Sequence, residues 1–158
     1  MKLLTFIILI SLSSCDYTGT TNFQNYLINQ SGHKVSISPY WQGKVKETSI
    51  TTLQIGEIKM VSEYSERGIL GGGGVNANYA TEADSILVLF DDSVKVMHFF
   101  DTVSNSSSKY LLISSDRNLA NLYSYDMVIE DKSDKERLIK YTFIITEEDY
   151  LYALGVKK

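Results

Sequence analysis

From Asn22 onward, apolar side chains recur at alternate positions in short runs, and turn-forming residues separate one run from the next. A period of two is what a strand with one covered face shows, and the spacing suits hairpins. The first run, residues 22–29, ends in the turn Gln30-Ser31-Gly32-His33. Residues 34–41 set Val35, Ile37, Pro39 and Trp41 on one face against Lys34, Ser36 and Ser38 on the other. Proline lacks a ladder donor, so this strand is expected to stop at Pro39 or to lie at an edge. Residues 48–55 and 57–64 read as the next pair, hinged at Gly56, with Ile58 and Met60 alternating against Glu57, Lys59 and Glu63 as half-exposed strands do. Residues 84–90 end in an uninterrupted apolar run from Ile86 to Phe90, as expected of a central strand covered on both faces. Asp91-Asp92-Ser93 turns it into residues 94–100, where Val94, Val96, His98 and Phe100 share a side. A last hairpin pairs residues 123–130 with 138–145 across the charged loop 131–136, turning Ile139, Tyr141, Phe143 and Ile145 inward.

One helix is predicted, over residues 147–154. Thr146 can cap it, Asp149 follows three residues later, Glu147 and Glu148 suit its positive amino end, and Gly155 can stop it. A shorter helical turn is expected near residues 118–122. About seven or eight strands and one short C-terminal helix predict an all-β fold, mainly an antiparallel β-sandwich. A partly open β-barrel is the alternative, because strand order is not written in the pattern.

Ahead of this domain the pattern changes. Lys2 precedes an uncharged apolar stretch, residues 3–12. As a helix it would rise about 15 Å, half the roughly 30 Å of bilayer hydrocarbon, so it has the length of a signal peptide and not of a membrane span. The residues that follow, Leu12-Ser13-Ser14-Cys15, resemble a bacterial lipobox. That resemblance implies cleavage between Ser14 and Cys15, a diacylglyceryl group on the Cys15 sulfur and an acylated new amine. Several acyl chains would hold a protein on a leaflet for practical purposes permanently. The competing readings are an ordinary signal peptide with a coincidental cysteine and an uncleaved cytosolic N-terminus. Residues 16–21, small and polar, read as a tether. The organisation expected is thus residues 1–14 as lipoprotein signal peptide, 15–21 as lipidated cysteine and tether, and 22–158 as one β-rich domain. The two ends of that domain, Tyr26-Leu27-Ile28-Asn29-Gln30-Ser31-Gly32-His33-Lys34-Val35 and Tyr141-Thr142-Phe143-Ile144-Ile145-Thr146-Glu147-Glu148-Asp149-Tyr150, resemble small uncharacterised lipoproteins of Bacteroidota. The resemblance adds to the lipoprotein reading and brings no activity with it; the expected location is the bacterial envelope, with the outer membrane favoured and the inner membrane or cell surface as alternatives.

Composition narrows the partners. The chain has 158 residues, 44% hydrophobic and 22% charged, too apolar for a disordered chain and enough for one packed core. Its single cysteine excludes a disulfide framework and a cysteine-rich zinc site within one chain. A net charge of −4 with no basic patch argues against nucleic acid.

Candidate chemistry is sparse. Gly71-Gly72-Gly73-Gly74 lacks the Lys-Ser or Lys-Thr and the strand-to-helix setting of a phosphate loop, and reads as a connector. His33, in a turn, and His98, on an apolar face, lack metal-ligand spacing, and no Gly-x-Ser-x-Gly accompanies them. The acidic groups Asp91-Asp92, Asp131 with Asp134, and Glu147-Glu148-Asp149 fit a turn, a loop and a helix start; calcium in the first two stays open without EF-hand spacing. Tyr40, Trp41 and Gln42 are the candidate ligand contact, since rings beside Pro39 and Gly43 can stack on a sugar or anchor a protein. The favoured reading of Trp41 is nonetheless that it continues the Val35-Ile37 face into the core. No cofactor, metal or catalytic set is called for. The function expected is a lipid-anchored envelope protein that binds a partner protein or glycan, with membrane lipid met through acylated Cys15. A small envelope hydrolase using carboxylates and an inhibitor or immunity-like protein are the alternatives.

Overall fold

The computed structural model describes residues 18–69, 83–99, 110–111 and 117–155. They form two sheets. In the first, β5 (Ile58–Ile69), β1 (Thr18–Gln30), β10 (Glu136–Thr146) and β9 (Asp126–Ser133) lie in that order. In the second, β3 (Lys44–Val45), β2 (Val35–Trp41), β6 (Ser85–Phe90), β7 (Val94–Phe99) and β8 (Tyr110–Leu111) follow one another, and β4 (Thr51–Leu53) also pairs with β2. Most pairs are antiparallel, β1–β10 and β7–β8 being parallel. Among the described residues no sheet closes on itself, so the fold is the expected β-sandwich and not the barrel. The helix α1 (Glu147–Leu154) follows β10 directly.

The strict alternation of β1 explains its place at the centre. Phe23, Leu27 and Asn29 turn to the buried side while Asn22, Gln24 and Tyr26 face outward. β10 contributes Tyr141, Phe143 and Ile145 to the same inner face, as its sequence pattern predicted. Across the interface stand Val35 and Ile37 of β2, Ile86, Val88 and Phe90 of β6, and Val96 of β7. Each fully buried aliphatic or aromatic side chain contributes about 1.5–3 kcal/mol relative to exposure. The first and last described strands are direct neighbours: Tyr26, Leu27 and Ile28 pair with Thr142, Phe143 and Ile144.

Several expectations are corrected. Thr18 to Thr21 belong to β1 and not to a tether: Thr18 pairs with Ile69, and the Thr20 N–H donates to the Lys135 carbonyl at 2.8 Å. β-Branched threonines favour the extended chain once neighbours exist on both sides. Residues 48–55 and 57–64 are not a hairpin. Thr51 and Leu53 are buried against β2, whereas β5 lies in the other sheet, so Gln54-Ile55-Gly56-Glu57 is a corner joining the two layers. The strand through Pro39 neither ends there nor lies at a sheet edge. β4 pairs only with residues 35–37 and β3 only with Tyr40 and Trp41, so proline occupies the gap between two short neighbours, where a missing donor costs no ladder bond on that side. Leu87 and Leu89, on the outer face of central β6, are only half-buried. The hairpin loop shrinks to Asp134-Lys135 because β9 and β10 extend into the charged stretch, and Tyr123 falls in a 3-10 turn, Leu122–Ser124, which stands in place of the helical turn expected slightly earlier. Ser14, Cys15, Phe100 and the four glycines 71–74 lie outside the described residues.

Candidate functional site

Two rows of side chains cross the inner face of the first sheet. Asn25, Tyr141 and Met127 make one row, and Phe23, Ile139 and Ile129 the next. Both rows are buried at β1 and lose their cover toward β9, where Met127 is 55% and Ile129 49% exposed. Residues patterned for a core therefore meet solvent at this margin. The turn that precedes β9 borders the same place. The Asn121 side chain accepts from the Tyr123 N–H at 3.0 Å, holding the 3-10 turn, and the Tyr125 hydroxyl donates to the Leu119 carbonyl at 2.9 Å. Tyr125 also packs edge-on against Phe143, with ring centroids 5.3 Å apart. Tyr123 has no such cover and is 97% exposed.

Leu122, Tyr123, Tyr125, Met127 and Tyr141 line a cleft of about 410 Å³, within the size range of ligand sites. Its walls are mostly carbon, so it can take an apolar or aromatic group, with tyrosine hydroxyls at hand for orientation. Deeper on the same face, burial pushes the Tyr64 phenol up to about 12 while its ring stacks on Phe23 at 4.7 Å. The sequence pattern passed over this cleft. Its signal was present in the alternation Tyr123, Tyr125, Met127, but the stretch 122–127 had to be brought against Tyr141 of β10 to show it.

The other expected contact, Tyr40-Trp41-Gln42, is placed differently from the favoured reading. Trp41 is 49% exposed and outside the core, because it lies past the part of β2 that the first sheet covers. Gln42 and Gly43 link β2 to β3 with φ of 51° and 74°, a tight two-residue turn of the kind that suits twisted hairpins. The Asp84 carboxylate fixes the turn by accepting from the Gln42 N–H at 2.6 Å. Tyr40 is half-buried on the outer face. The ring of Trp41 is thus presented on a rigid turn, separate from the residues lining the cleft.

His33 meets two carboxylates. Its Nδ1 lies 2.6 Å from Asp91 Oδ2 and its Nε2 3.6 Å from Glu147 Oε2, while Tyr150 stacks on the ring at 3.6 Å between centroids. Asp91 also accepts from the Lys34 N–H at 2.9 Å, and the hydrogen bond from His33 holds its carboxyl below the usual value. The cluster ties the β1–β2 turn, the β6–β7 turn and α1 together at one end of the sandwich. Both ring nitrogens face carboxylates, and the neighbouring Ser31 Oγ donates to Asn29 Oδ1 at 2.7 Å. The arrangement is a clasp.

His98 is buried, and its Nδ1 accepts from the Leu119 N–H at 2.8 Å. Burial, reinforced by the nearby Arg117 charge, lowers it to about 3, so the ring is neutral and structural, as its apolar face suggested. Arg117 itself donates to the Ile144 carbonyl at 2.6 Å, pairs with Asp149 and sits over the Phe143 ring at 4.8 Å. Among the described residues no group of three or more His, Cys, Asp or Glu is placed to hold a metal ion.

No family model matches the chain, and neither a curated protein nor a solved structure shows a significant match to it. The account of function therefore stands on these residues alone.

Proposed function

We propose that this chain is a lipid-anchored protein of the bacterial envelope that works by binding and not by catalysis. The observation that carries the binding part is the aromatic cleft: Tyr123 stands almost fully exposed beside Met127 and Ile129, which are core-type residues on an uncovered inner face. Exposed aromatic and thioether groups at a rigid margin are what partner sites use. The described histidines support the same reading, since each is held in structural contacts.

The anchoring part rests on the lipobox-like residues before Cys15, and the early start of β1 sharpens it. Only Asp16 and Tyr17 separate Cys15 from Thr18. A leash of three peptide steps spans about 10 Å, so an acylated Cys15 keeps the Thr18 end of the sandwich against the leaflet. The opposite end of the sandwich, with His33, Asp91 and α1, lies the length of β1 from Thr18, roughly 40 Å at 3.3 Å per residue.

The test is a mild-detergent pull-down from the native host with the wild-type chain and with Tyr123→Ala and Met127→Lys. Both positions are exposed, so the variants should keep the wild-type unfolding midpoint within a few degrees. A partner recovered with wild type and lost with both variants is the expected result. Equal recovery with all three chains would remove the cleft from function.

A further inference from the structure

Of the sheet edges, β5 and β9 are the long ones, and they differ in how they discourage another strand. β5 is broken by a bulge, since Asn25 pairs with Ser62 and Tyr26 with Met60, leaving Val61 extra, and charged Lys59, Glu63, Glu66 and Arg67 interrupt it along its length. Bulges and charges are the usual protection of a free edge. In β9 the bulge lies at the far end, and charge is confined to Asp126 and residues 130–132. Lys132 is the extra residue where pairing passes from Ser133–Glu136 to Asp131–Arg137. Before it, Met127, Val128 and Ile129 run consecutively at 55%, 53% and 49% exposure, apolar on both faces of an edge that pairs with no further strand among the described residues.

We propose that β9 is a self-association edge, pairing antiparallel with β9 of a second copy about a two-fold axis at Val128. The choice of register follows from faces and charges. Strands of one sheet must keep inward residues opposite inward residues, so the axis passes through a residue and not between two. Centred on Val128, the pairing sets Met127 opposite Ile129 of the second copy, twice, and Val128 opposite its own equivalent. Asp126 then faces Glu130 of the second copy. Glu130 already accepts from Lys140 at 2.7 Å and from Lys132, so that cluster bears one positive charge in excess. Asp126 has no ion pair among the described residues and supplies the balancing carboxylate. Centring on Ile129 would set Met127 against Asp131 and Val128 against Glu130, losing every apolar match but one. Centring on Met127 would leave Ile129 facing Tyr125, beyond the strand. Of the three registers, the one centred on Val128 matches apolar with apolar at positions 127 to 129 and brings the Asp126 carboxylate to the two lysines that flank Glu130, and the bulge at Lys132 stops it just past Glu130. Two four-stranded sheets become one of eight, with the two clefts bordering the joint.

The test uses the full chain carrying Cys15→Ser, which removes the sole native thiol, in mild detergent. Analytical ultracentrifugation should give twice the chain mass at high concentration, falling to a single mass in Val128→Lys. With Val128→Cys as the only thiol, oxidation should give a covalent dimer, because residues opposite one another across antiparallel strands stand about 4.5–5.5 Å apart at Cα, within disulfide reach. Ser133→Cys, beyond the bulge, should stay unlinked. Should Val128→Lys fail to fold, the cysteine pair still decides. A single chain mass at all concentrations, a dimer that Val128→Lys leaves intact, or equal cross-linking at positions 133 and 128 overturns the proposal. None of these results depends on whether Cys15 is acylated in the host.

Discussion

Single residues decide how this sandwich closes. Asn29, fully buried at the end of β1, donates to the carbonyls of His33, Leu53 and Gln54 at 2.7, 3.3 and 3.0 Å and accepts from the Ser31 N–H at 3.1 Å. It thereby holds the β1–β2 turn and the β4–β5 corner at once. The run Asn29-Gln30-Ser31-Gly32 announced a turn, but the partner segment some two dozen residues later is invisible to local pattern. His98 was legible in kind, as a histidine on an apolar face, and its role sets a pH dependence. The group binds no proton in the fold until about pH 3, whereas the unfolded chain protonates near 6.5. Stability from this group is therefore complete above 6.5 and is lost as pH falls from there toward 3, at up to about 1.4 kcal/mol per unit. His98→Gln, whose amide oxygen can still accept from Leu119, should reduce the drop in urea midpoint between pH 7 and pH 4.5. An unchanged drop would show that His98 is protonated in the fold. Trp41 was the residue read wrongly. The alternation that placed it inward is real, but a pattern does not report where the opposing sheet stops.

Among elements, strands with a clean alternation were legible and their partners were not. β1, β2, β7 and β10 follow the period of their sequences, because one face of each packs on the other layer. The pairing of β4 with β2 instead of β5 depends on Leu53 entering the core between distant strands, which no window of sequence records. The parallel pairing of β1 with β10 is likewise a fact of topology. α1 was the most legible element, since its signals are local. The Asp149 carboxylate accepts from the Thr146 N–H at 2.8 Å and from Thr146 Oγ1 at 3.2 Å, and Gly155 ends the helix with φ of 81°. Arg117 pairs with the same carboxylate, joining the helix start to the segment beyond β8. Asp149→Ala should remove cap and ion pair together and lower stability by about 1–3 kcal/mol, read as a reduced thermal midpoint. Asp149→Asn, which keeps an acceptor for Thr146 and loses the charge, should fall between. A variant as stable as wild type would mean that the cap carries no weight.

For the molecule as a whole, position along the sandwich matters more than any one pocket. Under the proposed anchoring, the short leash from Cys15 would hold the Thr18 end near the lipid, and the clasp of His33 with Asp91 and Glu147 marks the other end of the sandwich. An antiparallel pair at β9 would set the two Thr18 ends at opposite ends of the joined sheet. Copies on one leaflet could then pair only with their strands lying along the surface, and upright copies only from facing surfaces. The cleft and the β9 edge lie side by side, so a partner held in the cleft and a second copy would compete for the same margin. The proposed anchoring depends on Cys15, whose acylation can be measured directly. Intact mass and membrane fractionation of the protein from its native host, as wild type and Cys15→Ser, provide the measurement. The account predicts a wild-type chain beginning at residue 15, heavier by its acyl groups and confined to the membrane fraction, with Cys15→Ser unacylated and depleted from that fraction. A mature chain that keeps Met1, or bears an unmodified Cys15 sulfur, would contradict it.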